Sequence, residues 1–205
     1  MRRFPLDKNY SLLLKKQNIS ISEVLRRAGL PEDLFARKDA FLTDEEHMRF
    51  MDSIDQSIEN PQIPIFLATA ENIESVNPPI FAAYCSKDAR HCIKRLAQYK
   101  ALAGAVYFEV QNTENEIAVT IHAVDKKQAL PEIIVGIEIV LLTNLIRKAT
   151  KQNIIPHKII VEHSFQNPEY EKFLSCTAET GAQNQIIFSS SDAEQPFISR
   201  NDSMW

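Results

Sequence analysis

PEIIVGIEIVLLTNLIRK, residues Pro131–Lys148, is the stretch on which the fold turns. Its apolar run from Ile133 to Ile146 exceeds strand length, and Arg147, Lys148 and Lys151 follow it with the charge that suits a helix C-terminus. It therefore reads as a helix in spite of its Val and Ile content. Glu138, Thr143 and Asn144 interrupt the run, which falls short of the ~20 apolar residues needed to cross a bilayer. The expectation is a buried core helix and no membrane partner.

Upstream of it, Val106, Phe108 and Val110 alternate with Tyr107 and Glu109, and Ile117, Val119 and Ile121 repeat the period beyond Asn112–Asn115. Such alternation predicts a hairpin with a four-residue polar loop. A Pro-initiated helix from Pro79 to Tyr84 and a longer one, capped by Ser86 and ended by Gly104, precede the hairpin. Ala89, Cys92, Ile93, Leu96, Tyr99 and Ala103 would line the inner face of the longer helix. Near the start, Ser20 with Glu23 and Thr43 with Glu46 have capping-box spacing, each ahead of a short amphipathic helix. Ile63–Ile73 predicts another short helix. Downstream, strands are expected at Lys158–Glu162 and Gln185–Ser189, with a short helix begun by Asn167 and Pro168 between them. Residues 1–19 read as an extension, 20–189 as one domain, and the polar segment from Ser190 to 205 as a partly loose tail. Helices followed by a small, mostly antiparallel sheet of four or five strands make the fold class α+β.

Composition restricts function. With 205 residues, 44% of them apolar, the chain can bury a sizeable core without disulfides, and its three cysteines are odd in number. The cytoplasm is the expected compartment. A net charge of -4 argues against a surface that neutralises phosphates. The helices between Ser20 and Ile58 could be mistaken for a helix-turn-helix, but the candidate recognition helix is very short and the next opens with Asp44, Glu45 and Glu46. Only four glycines occur, none in a phosphate-cradling loop, so no nucleotide cofactor is implied. Cys85, His91 and Cys92 lack a zinc or haem spacing, and Cys92 falls on an apolar helix face, so no metal is expected. Among the histidines, His157 and His163 bracket a strand and read as surface residues. Asp88 and Arg90 beside Ser86 are explained by helix capping, and no nucleophile has a visible base. No catalytic residue is expected, and the chain is not read as an enzyme.

A binding role is easier to sustain. Glu138 either lies on a solvent-facing strip of its helix, the usual place for a helical carboxylate, or is buried and orients a polar effector group. Phe81, Tyr84, Tyr99 and Tyr107 flank the same helix and hairpin, where they either fill core or fix a small molecule. If a pocket exists, the expectation places it between Ile133–Ile146 and the hairpin, with Phe81–Tyr84 as a wall and Phe81, Tyr84, Tyr99, Tyr107, Glu138 and Leu141 as effector-binding residues.

VLRRAGLPEDLF (Val24–Phe35), FLTDEEHMRFMDSI (Phe41–Ile54), IFAAYCSKDARHCIKRLAQYKAL (Ile80–Leu102) and NPEYEKFL (Asn167–Leu174) stand in an order that resembles the arabinose-binding-like N-terminal domain of bacterial AraC-type transcription regulators. The resemblance runs from about Ile21 to the end of the chain. It departs at Glu74-Ser75-Val76-Asn77-Pro78-Pro79, where relatives usually have a Gly-rich stretch. It implies effector sensing, a homodimer, and DNA contact only through a C-terminal helix-turn-helix domain expected beyond Trp205. The effector's identity is not implied. The alternative is a protein-interaction or dimerisation module with no small-molecule ligand.

Overall fold

In a computed structural model of the chain, residues 3–70 and 78–201 are described. Expectations that touch residues 71–77, including the end of the Ile63–Ile73 helix and most of the departure at Glu74–Pro79, lie outside them. The architecture is α+β.

The long apolar run forms a helix, α7 (Glu132–Thr150), and β1 (Arg3–Pro5), α1 (Asn9–Lys16), α2 (Ile21–Arg27), a 3-10 turn, β2 (Phe41–Thr43), α3 (Asp44–Asp55), α4 (Ile63–Thr69), α5 (Pro78–Tyr84), α6 (Ala89–Ala103), β3 (Val106–Asn112) and β4 (Glu116–Ala123) precede it in the chain. β5 (Lys158–Val161), α8 (Glu169–Leu174), β6 (Ala178–Thr180), β7 (Asn184–Ser189) and α9 (Ser190–Ala193) follow it. Among the described residues, one sheet has the order β3-β4-β7-β5-β6, antiparallel except for β5 with β6, and a two-stranded sheet pairs β1 with β2.

α7 is the axis of the core. Most of its 19 residues are buried, which explains an apolar run with so little amphipathic contrast. Thr143 and Thr150 satisfy their buried hydroxyls by donating to the carbonyls of Ile139 and Ile146, and Lys151 ends the helix in the left-handed region. At Gly136 the Tyr170 ring of α8 lies where a Cβ would sit, so close approach of the two helices requires glycine there. The start of α3 is a complete capping box: the Glu46 amide donates to Thr43 Oγ1 at 3.2 Å, and the Thr43 amide donates to Glu46 Oε2 at 2.7 Å. Ser20 caps α2 by accepting from the Glu23 amide, while the Glu23 carboxylate accepts from Arg27.

Several local expectations need correction. Ser86 does not cap α6. Asp88 does, accepting from the His91 amide at 2.8 Å, while the buried Ser86 hydroxyl accepts from Arg95. Hydrogen-bonding geometry decides this, because the residue adjoining the first turn owns the cap. β1, β2 and β6 were not anticipated, since three-residue strands are too short to show a period. Over residues 190–201 the segment is not loose: Ala193 and Phe197 are buried, the Phe197 amide donates to the Lys87 carbonyl, and the Ile198 amide to that of Ala149. At the other end Phe4, Leu6 and Leu14 join the same core.

Candidate functional site

A cavity of about 180 Å³ lies where the N-terminal segment, α3, α4, α5, α6, β3 and α7 converge. Phe4, Leu6 and Leu13 form one apolar side, Met51 and Leu67 another, and Ile134, Ile137 and Leu141 of α7 the floor. Its polar groups are few: Asp7, Tyr10, His47, Lys100 and Glu138. An apolar hollow with a handful of placed polar groups is the usual constitution of a small-molecule site.

Glu138 and Lys100 dominate its electrostatics. Lys100 Nζ lies 2.7 Å from Glu138 Oε1, with side chains only 21% and 10% exposed. The ammonium also sits 5.4 Å from the centroid of the Phe108 ring. Two charges so enclosed are tolerable because they pair, and removing either partner would strand the other in a medium that solvates it poorly. Glu138 Oε2 is buried with no hydrogen-bond partner among the described residues, and so is His47 Nδ1. Both residues border the cavity. Burial, and next the Lys100 charge, push the His47 imidazole down to about 4, so the ring is neutral at physiological pH. The Tyr10 hydroxyl is pushed the other way, above its ordinary value, by burial first and then by the carboxylates of Glu138 and Asp7, so it stays a protonated donor. Edge-to-face contacts hold the rings of these two residues: His47 against Phe4 at 5.3 Å and Tyr10 against Phe50 at 5.6 Å. The N-terminal segment is thus a wall of the cavity.

Of the sequence-predicted site residues, the fold brings Glu138 and Leu141 to this cavity. The preferred sequence reading of Glu138, a solvent-facing strip, is overturned by its 7% exposure. The other four do not border the hollow. Phe81 and Tyr99 are 40% and 39% exposed, Tyr107 stacks on His122 outside it, and Tyr84 is half-buried with its carbonyl accepting from Ser199. In each of three elements the cavity takes a sequence neighbour instead: Ile80, Lys100 and Val106 in place of Phe81, Tyr99 and Tyr107. Phase on the element, and not residue type, decides which side chain faces inward. Lys100 was legible in retrospect, since it stands four and seven residues beyond the buried Leu96 and Ile93 on one helix face. His47 similarly shares a face with Met51. Tyr10 stands four residues before the buried Leu14 on α1 and carried the same kind of signal.

Cys92 is fully buried and its thiol is pushed up, first by desolvation, which makes it inert. Among the described residues no group of three or more His, Cys, Asp or Glu side chains is placed to hold a metal ion, and no helix is long and apolar enough to cross a membrane.

Residues 19–197 match the family model described as the arabinose-binding domain of AraC transcription regulators, N-terminal. The chain belongs to this family. Its fold is similar to that in the crystal structure of the transcriptional regulator CdpR from Pseudomonas aeruginosa, with a TM-score of 0.65 at 11% identity over 97% of the chain. The chain spans 60% of the length of CdpR. No curated protein matches it at a significant level. As an AraC-family arabinose-binding domain it is a regulatory domain, and the strand and helix at Arg3–Pro5 and Asn9–Lys16, which supply one side of the cavity, precede the matched region.

Proposed function

We propose that this AraC-family domain senses a small-molecule effector in the cavity between the N-terminal segment and α7, with Glu138 and Leu141 among the contacting residues. The observation that carries the reading is a mostly apolar hollow bordered by an ion pair and by two residues, Glu138 and His47, that each hold a buried polar atom without a partner among the described residues, a costly arrangement for a wall that meets no ligand. Effector binding would bias a dimer, or an attached DNA-binding domain, between states of different DNA affinity, which requires that the effector prefer one state. The net charge of -4 supports placing the DNA contacts in a separate, basic domain. Paired copies of the domain would match the two-fold symmetry of paired half-sites, and such a regulator would act in the cytoplasm.

A thermal-shift screen of a metabolite panel tests this, because a ligand at about 100 times its Kd stabilises the folded form by about 2.7 kcal/mol. Gly104 borders the cavity, an added Cβ there meets nothing within 4 Å, and its φ of -165° is open to any residue, so Gly104→Phe serves as a plug. A hit in the native chain that the plugged variant loses supports the site. A panel with no hit, together with a dimer in sedimentation, would favour an interaction module instead.

A further inference from the structure

Resting on that reading, the geometry points to the class of effector: an uncharged molecule about the size of a substituted benzene ring, with an apolar body and one hydroxyl that donates to Glu138 Oε2. Size comes first. A dry apolar cavity of ~150 Å³ takes up benzene, and this one measures about 180 Å³.

Charge comes next. Lys100 and Glu138 already cancel at 2.7 Å, and Asp7 is exposed, where solvent screens its charge, so a carboxylate would meet Glu138 as a like charge and an ammonium would meet Lys100. Either would add an uncompensated charge to a mostly apolar space. The feature that lacks a partner is an acceptor. Glu138 Oε1 is taken by Lys100 while Oε2 has no donor among the described residues, and a modest turn about the carboxylate's terminal bond, a soft torsion, can bring Oε2 toward a ligand as the flexible Lys100 side chain follows Oε1. Hydroxyl number is limited as well. Two orphaned atoms, Glu138 Oε2 and His47 Nδ1, together with the Tyr10 hydroxyl, can serve up to three polar groups, whereas the remaining hydroxyls of a sugar would lie against Phe4, Leu13, Met51 and Ile134. The family description names arabinose; the walls of this cavity favour an aromatic or alicyclic alcohol.

Binding to the full chain of benzyl alcohol, toluene, benzylamine, benzoate and L-arabinose, measured by calorimetry and thermal shift, tests the inference. Benzyl alcohol should bind about tenfold more tightly than toluene, the difference made by one hydrogen bond to a charged acceptor, and the two ions and the sugar should bind more weakly still. Glu138→Gln leaves Lys100 as an unpaired cation and should reverse the order, with benzoate overtaking benzyl alcohol. Should that variant not fold, the double variant Lys100→Met, Glu138→Leu replaces the pair by apolar groups and should bind toluene as tightly as benzyl alcohol. Benzoate, benzylamine or arabinose binding the native chain best would overturn the inference and leave the cavity as an effector site. Absence of binding by all five would overturn it too, and the metabolite panel with the Gly104→Phe plug then decides the site itself.

Discussion

Acidification should destabilise this protein through His47 in a way that one substitution removes. The ring is enclosed beside Lys100, and its pKa is held at about 4 against an ordinary 6.5, by burial first and the Lys100 charge second. As pH falls through 6.5 the unfolded chain takes up a proton at this position while the folded one does not. The stabilisation is therefore complete above about 6.5, erodes below it, and is gone once pH has passed about 4. At about 1.4 kcal/mol per pH unit the whole gap is about 3 kcal/mol, and about 2 kcal/mol of it is lost by roughly pH 5. Carboxylates titrate in the same range, so the measurement is a difference: urea unfolding of the native chain and of His47→Leu, each at about pH 7.5 and about pH 5. Whatever its own effect on stability, the leucine variant lacks the titrating group. The native chain should lose about 2 kcal/mol more than the variant between the two conditions. Parallel losses, within about 0.5 kcal/mol, would show that His47 charges freely in the folded state and would refute the enclosed, neutral imidazole.

Three further outcomes follow from the packing. Gly136→Ala places a methyl group inside the Tyr170 ring and should destabilise by about 1–3 kcal/mol or more; adding Tyr170→Ala should cost less than the sum of the two single effects, read from chemical denaturation. The Arg147 guanidinium donates to the carbonyls of Ile154, Phe173 and Leu174 at 2.7, 2.9 and 3.2 Å, so Arg147→Met should lower stability by about 3 kcal/mol, and Arg147→Lys should recover only part because a compact ammonium cannot make the fork. Thr43→Ala removes the capping box of α3 and should cost about 1 kcal/mol, with Thr43→Ser retaining most of it, again by denaturation midpoint.

What the sequence by itself determined are the features whose partners lie close along the chain. The caps at Ser20 and Thr43 are made by residues three positions on. The hairpin is written in alternation, the core helix in the length of its apolar run, and the family in the order of several packing segments. Tertiary structure decided the rest. β1 finds β2 across some forty residues with three residues on each side, too few to carry a period, and that pairing brings Phe4 and Leu6 to the cavity. α7 is apolar nearly all round, so its pattern could not say whether Glu138 faced water or the core, and the answer came from Lys100 at the end of another helix. Tyr10, His47, Lys100 and Glu138 share one hollow although four different elements carry them, because the enclosed ionic and polar groups of separate helices are tolerated only where packing lets them meet.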